Sequence, residues 1–131
     1  MQAIKPEILI FSVFQKDRSN ESNLDNHQCI IQRLSQLGIG YKVLDGVYQG
    51  ETEKSILVVD SPEMRQTVES VCKQFNQDCY LKSDSQRNTS LVYQDGTETQ
   101  IGTLKRVSQD EAQKLDGYSV DPTDGSIWAT I

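Results

Sequence analysis

Apolar residues fall in short blocks along this chain, and the period changes from block to block. Ile8-Leu9-Ile10-Phe11-Ser12-Val13-Phe14 is an almost continuous branched and aromatic run, which predicts a buried strand. Gln15–Glu21 is polar and aperiodic, and predicts a loop long enough to serve as a lid or binding loop. From Ser22, with Asp25 three residues on in a capping-box-like arrangement, the spacing turns helical. Leu24, His27, Ile30, Ile31, Leu34 and Leu37 make one stripe, ended by Gly38 and Gly40. Tyr41–Leu44 and Ser55–Asp60 predict two more strands. Ser61-Pro62-Glu63 is a helix start: a capping hydroxyl, a proline in the first turn and an acid at the positive helix end. Met64, Val68, Val71, Cys72 and Phe75 are the buried stripe of that helix.

Asp78–Lys82 predicts a strand, Ser83–Asn88 a loop and Thr89–Tyr93 a strand, followed by an Asp95-Gly96 turn. Thr97–Val107 returns as a strand with Gly102 as a bulge. Ser108 and Glu111 form a capping box for a short helix ending at Gly117. Tyr118–Ile131 holds a Pro-Thr-Asp-Gly turn between two short strands, with Trp128 in the last. The order strand, helix, strand, strand, helix, strand predicts an α+β class: a ferredoxin-like (split βαβ) sandwich with a β-rich C-terminal extension. Ile8–Val13 and Ile56–Val59 are apolar at consecutive positions, the pattern of strands buried on both faces. An oligomer closing over the open sheet face is therefore expected.

The 131 residues amount to about one domain, 1–131, with enough length for a core without staples. The formal net charge of −6 disfavours a phosphate backbone as partner and tolerates a small cation. Three cysteines without a paired spacing, Cys29, Cys72 and Cys79, predict reduced, buried or partly buried thiols. One histidine leaves little for a metal site. Met1–Pro6 lacks the apolar segment of a signal peptide, and no run is long enough to span a bilayer, so no membrane association and a cytoplasmic location are expected.

The candidate chemistry centres on Gly46-Val47-Tyr48-Gln49-Gly50-Glu51-Thr52-Glu53-Lys54-Ser55, a polar stretch with an aromatic ring and two carboxylates between predicted strands. It reads either as a solvated hairpin loop or as a site on a rigid scaffold. Gly-rich nucleotide motifs, a nucleophile elbow and a zinc-protease motif are all lacking. His27 and Cys29, two apart on one helix, face away from each other. Carboxylates, hydroxyls and aromatic rings remain: groups that hold a cation, bind a ribose or activate a water.

Several pieces then carry a resemblance. They are Ser12 and Phe14 in the opening strand, the Asn23-x-x-x-His27 step, and Gly46, Tyr48 and Glu53-Lys54. Gln77-Asp78-Cys79, Ser85-Gln86, Thr89, Leu91-Val92-Tyr93 and Gly96 form the longest stretch, with Gly117, Asp121, Gly125 and Trp128 at the C-terminal end. In order and spacing, the chain resembles the phage-encoded S-adenosylmethionine-degrading enzymes, the SAM lyases formerly called SAM hydrolases. Gln15 stands where that family commonly has arginine, and the segment between Tyr48 and Glu53 is shorter.

The resemblance implies a PII-like homotrimer of α–β sandwiches with sites between subunits. It implies S-adenosylmethionine as substrate, no cofactor, and cleavage to 5′-methylthioadenosine and homoserine lactone in the cytoplasm of an infected bacterial host. It makes Glu53 and Tyr48 the catalytic pair. Ser12, Phe14, Gln77, Ser85, Gln86 and Thr89 become substrate-binding residues. A hydrolase releasing homoserine, and a non-catalytic PII-like adenine-nucleotide-binding trimer, are the alternatives.

Overall fold

The computed structural model describes residues 6–48 and 50–131. Most of the N-terminal segment read for targeting, and Gln49 of the central stretch, lie outside the described residues. The elements in order are β1 (Ile8–Phe11), α1 (Asn20–Gln36), β2 (Lys42–Tyr48), β3 (Glu51–Val59), α2 (Pro62–Gln74), β4 (Cys79–Ser83), β5 (Asn88–Tyr93), β6 (Glu98–Val107), α3 (Gln109–Gln113), β7 (Gly117–Val120) and β8 (Ile127–Thr130).

The strands form one closed antiparallel barrel in the order β1-β3-β2-β7-β8-β6-β5-β4, with β4 returning to β1. This corrects the expected fold. The chain is not a ferredoxin-like split βαβ sandwich with an open sheet face. The C-terminal strands are no appendage: β7 pairs with β2, β5 with β4, and β6 and β8 join the two sides. Strand order along the sequence could not reveal this, because the closing pairs join residues dozens of positions apart.

Closure also explains the double-faced apolar strands. Ile8, Ile10 and Leu44, with Leu57, Leu81 and Leu104 packed on them, make one cluster facing the barrel axis. The alternate residues Leu9, Phe11, Ile56, Val58 and Tyr80 face outward and join Ile30, Ile31 and Leu34 of α1 and Met64, Val68 and Val71 of α2 in the main core. A third cluster, Val107, Ala112 and Ala129, lies under α3. The face expected to be covered by another subunit is thus the interior of the same chain.

The helix starts follow their caps. Ser61 accepts a hydrogen bond from the Met64 amide at 3.0 Å with Pro62 in the first turn, and Ser108 and Glu111 make the full capping box. Helix α1 starts earlier than read: Ser19 is its cap, taking the Ser22 amide at 3.1 Å. Its buried stripe is Asn23, His27, Ile30, Ile31 and Leu34, while Leu24 and Leu37 are exposed. Gly102 sits at the bulge where β6 shifts register against β5. Cys72 is buried and Cys79 half-buried as expected, but Cys29 is exposed; all three are free. Among the described residues no helix is long and apolar enough to cross a membrane.

Candidate active site

The central stretch is a hairpin of two long strands rather than a flexible loop. Strand β2 runs on to Tyr48, and β3 begins at Glu51. The register sets Gly46 opposite Glu53 and Tyr48 opposite Glu51. Side chains two apart share a face, so Glu53 and Tyr48 are diagonal neighbours on one face, about 7–8 Å apart in such ladders. That face continues the line of Leu44 and Leu57, and so turns toward the barrel axis at one mouth of the barrel.

A cleft of about 570 Å³ opens there. Its walls include Ser12, Gly46, Tyr48, Glu51, Glu53, Gln77, Tyr118 and Ser119, and its floor is Ile10 and Leu81 of the interior cluster. A second groove, lined by Phe14, Gln15 and Asp17, shares Lys16, Glu53, Gln77 and Asp78 with it. Five of the residues singled out by the sequence, Ser12, Phe14, Tyr48, Glu53 and Gln77, therefore meet around one opening. Ser85, Gln86 and Thr89 lie at the other end of β4, beyond Ser83, while Cys79 at its start borders the cleft. Thr89 is buried, and its hydroxyl is engaged by Ser83 at 3.0 Å and the Arg87 carbonyl at 2.9 Å. Ser85 and Gln86 are exposed.

The supporting bonds are specific. Ser12 Oγ donates to the Lys54 carbonyl at 2.8 Å and accepts from the Phe14 amide at 3.1 Å, tying β1 to the strand that carries Glu53. Gln77 Nε2 donates to the Phe14 carbonyl at 2.7 Å. Asn23 holds Gln15 from both sides, accepting its amide and donating to its carbonyl, each at 3.0 Å. His27 is buried, with its ring edge-on to Phe14 at 6.2 Å between centroids. Asn23 and His27 thus buttress the wall from behind; they do not enter the cleft. Ser12 and Gln77 likewise spend hydrogen bonds on the backbone that shapes it.

Electrostatics single out Glu53. Burial raises its carboxyl above the ordinary carboxylate value; Lys16 pulls it down and Glu51 pushes it up. A half-buried carboxylate at the mouth of an apolar barrel suits a cation, and the Tyr48 ring on the same face offers a second cation-binding surface. Lys54, the next residue along, is committed to Asp45 at 2.9 Å. The same pair bears on His27, whose imidazole is lowered by burial and by Lys54 and raised by Asp45. Sequence reasoning missed Lys16 and the Tyr118-Ser119 wall. Lys16 sits in the loop read as a lid, and its loop location was the only signal; Ser119 enters the site only because β7 closes against β2. Among the described residues no cluster of histidine, cysteine and carboxylates fit for a metal ion occurs.

No curated protein matches this chain in a sequence search. Residues 9–131 match the sequence model of the S-Adenosylmethionine lyase family, nearly the whole chain and all eight strands but the first residue of β1. With a carboxylate and an aromatic ring facing one cleft, and that match over its length, the chain belongs to the S-adenosylmethionine lyase family and is an enzyme that cleaves S-adenosylmethionine.

Proposed function

We propose that the reaction is an intramolecular cyclisation giving 5′-methylthioadenosine and L-homoserine lactone. The substrate brings both reacting groups. One carboxylate oxygen of its methionine tail bonds to the γ-carbon as the bond from that carbon to sulfur breaks. The bonding pair goes to sulfur, which leaves as a neutral thioether, and no proton is transferred. What the protein supplies is conformation: the tail must fold so that the carboxylate lies behind the carbon–sulfur bond. Ideal positioning of this kind is worth up to about 7–11 kcal/mol. Opposite charges cancel as the ring closes, so a cleft floored by Ile10 and Leu81 favours the transition state over the separated ions.

Glu53 is the observation that carries this reading: a carboxylate half-buried at an apolar mouth, on one face with Tyr48. It pairs with the cationic end of the substrate. The α-ammonium keeps its charge throughout the reaction, so a bond to it holds the tail steady in the transition state as well as before it. Tyr48 takes the sulfonium side with its ring, a contact worth about 0.5–2 kcal/mol. Ser12, Phe14 and Gln77 shape the tail pocket.

The resemblance implies a homotrimer with sites between subunits. Closure of the barrel removes one reason for an oligomer, but the cleft supplies another. Tyr48 is 58% exposed, and a neighbouring copy seated on that side would complete the wall. Ser85 and Gln86, exposed and distant from the cleft of their own chain, are the residues such a neighbour would bring. Loss of the methyl donor in an infected bacterial cytoplasm would blunt restriction-modification, the use the family resemblance implies.

Early-quenched turnover tests the chemistry. Homoserine lactone appearing before homoserine supports cyclisation. Homoserine as the first product, carrying oxygen from labelled water, supports a hydrolase with Glu53 as general base, a role its raised carboxyl would suit. Light scattering in solution tests the trimer.

A further inference from the structure

We propose that Lys16 is the anion-binding group of the cleft and holds the α-carboxylate of the substrate tail opposite Glu53. The inference rests on the reading above and extends it to the other charge of the zwitterion.

Lys16 borders both the mouth cleft and the adjoining groove, as Glu53 does. The two are close enough for the lysine to bear on the Glu53 carboxyl, yet they do not form an ion pair. Two opposite charges that line the same two openings without pairing leave both free to meet a ligand. An α-amino acid head, ammonium and carboxylate on one carbon, fits that arrangement. The other lysine on the cleft, Lys54, is held by Asp45, and among the described residues no carboxylate holds Lys16.

The backbone leading into Lys16 is fixed by three side chains, Ser12, Asn23 and Gln77. Asn23 binds both backbone groups of Gln15, Gln77 binds the Phe14 carbonyl, and Ser12 binds the Phe14 amide. The Gln15 side chain in turn spans to the Phe75 carbonyl and to Arg18. A surface loop secured in this way presents its lysine at a set place, which is how a site limits the ordering entropy of binding.

The reaction fixes what this contact can do. An ammonium is a point charge that one carboxylate oxygen satisfies, leaving the second oxygen free to attack the γ-carbon. The carboxylate charge is consumed on ring closure, so the contact is strongest before the transition state and absent from the lactone. It therefore contributes to capture of the tail and does not lower the barrier, and its loss raises KM without lowering kcat.

The test compares two unreactive ligands by calorimetry: S-adenosylhomocysteine, which keeps the tail, and 5′-methylthioadenosine, which lacks it. Lys16→Met weakens the first by about fivefold, the scale of one solvated ion pair, and leaves the second within about twofold; Lys16→Arg recovers most of the loss. KM for S-adenosylmethionine rises in step. Equal affinity of wild type and Lys16→Met for S-adenosylhomocysteine overturns the inference while the functional reading stands. A wild-type protein that binds neither ligand and leaves S-adenosylmethionine intact overturns both.

Discussion

The ring of Tyr48 lies against the backbone of Gly117, so closely that a Cβ on the glycine would stand 3.1 Å from Tyr48 Cδ2. The two residues are cross-strand partners, β2 against β7, and the missing side chain is what lets the ring settle there. Gly117→Ala therefore pushes the ring off its seat. If the ring faces the sulfonium, that displacement lowers kcat/KM by about three- to tenfold, within the range of an onium–π contact. Tyr48→Phe keeps the ring and most of the activity, whereas Tyr48→Leu loses about as much as Gly117→Ala does. Steady-state kinetics on the three variants decide it. A Tyr48→Phe variant as impaired as Tyr48→Leu would move the role from the ring to the hydroxyl.

Local signals in the sequence are legible where the physics is local. The caps at Ser61 and Ser108, the bulge at Gly102 and the stripe of α2 depend on neighbours a few residues away, and they occur as read. Barrel closure depends on β7 and β8 finding β2 and β6, and no local pattern encodes that pairing. The consecutive apolar residues of β1 did report burial on both faces, but not whether the same chain or another one provides it. At the site, the hairpin register that sets Glu53 and Tyr48 on one face follows from two adjoining strands, and so from local sequence. Asn23 was legible only as half of a family step, because its work is a pair of bonds to Gln15 that spacing alone cannot reveal.

Glu53→Gln keeps shape and removes charge. Turnover should fall by about 10²–10³, the scale seen when an orienting or charge-stabilising group is lost, with the far-ultraviolet circular dichroism unchanged. Near-normal turnover would shift the role to Glu51 or elsewhere in the cleft.

The pH profile carries its own sign. On the proposed mechanism the ionised carboxylate of Glu53 is the working form, and its pKa lies above the ordinary carboxylate value because it is partly buried. Activity therefore falls on the acid side as pH drops through that raised value, at higher pH than an exposed glutamate would give. Lys16 opposes the rise. In Lys16→Met the acid limb moves to still higher pH. A shift to lower pH in that variant would contradict the placement of the two charges.

His27 predicts an acid-labile fold. Its pKa is depressed in the folded state by burial first and by Lys54 second, with Asp45 opposing. Between that depressed value and the unfolded value of about 6.5, the unfolded chain binds more protons, so stability rises with pH across the window and falls as pH drops through it. Urea denaturation from pH 7.5 to 5.5 should show this decline. The slope should be shallower in His27→Gln, which has nothing to protonate there. Equal slopes would mean that protonated His27 finds a partner in the fold.

Gly102 tests the closure that creates the cleft. It has a φ of +119°, and a Cβ there would fall 2.7 Å from the Ile131 carbonyl oxygen, which pairs with the Thr103 amide at 3.1 Å. Alanine at 102 meets both backbone strain and a backbone clash at the point where β6 turns from β5 toward β8. Gly125 also has a positive φ, +75°, but nothing lies within 4 Å of its Cβ position. Gly125→Ala meets strain alone. Gly102→Ala should therefore lower the melting temperature by about 5–10 °C, and Gly125→Ala by clearly less. Equal losses would show that the seat of Ile131 on the bulge is not what demands glycine at 102.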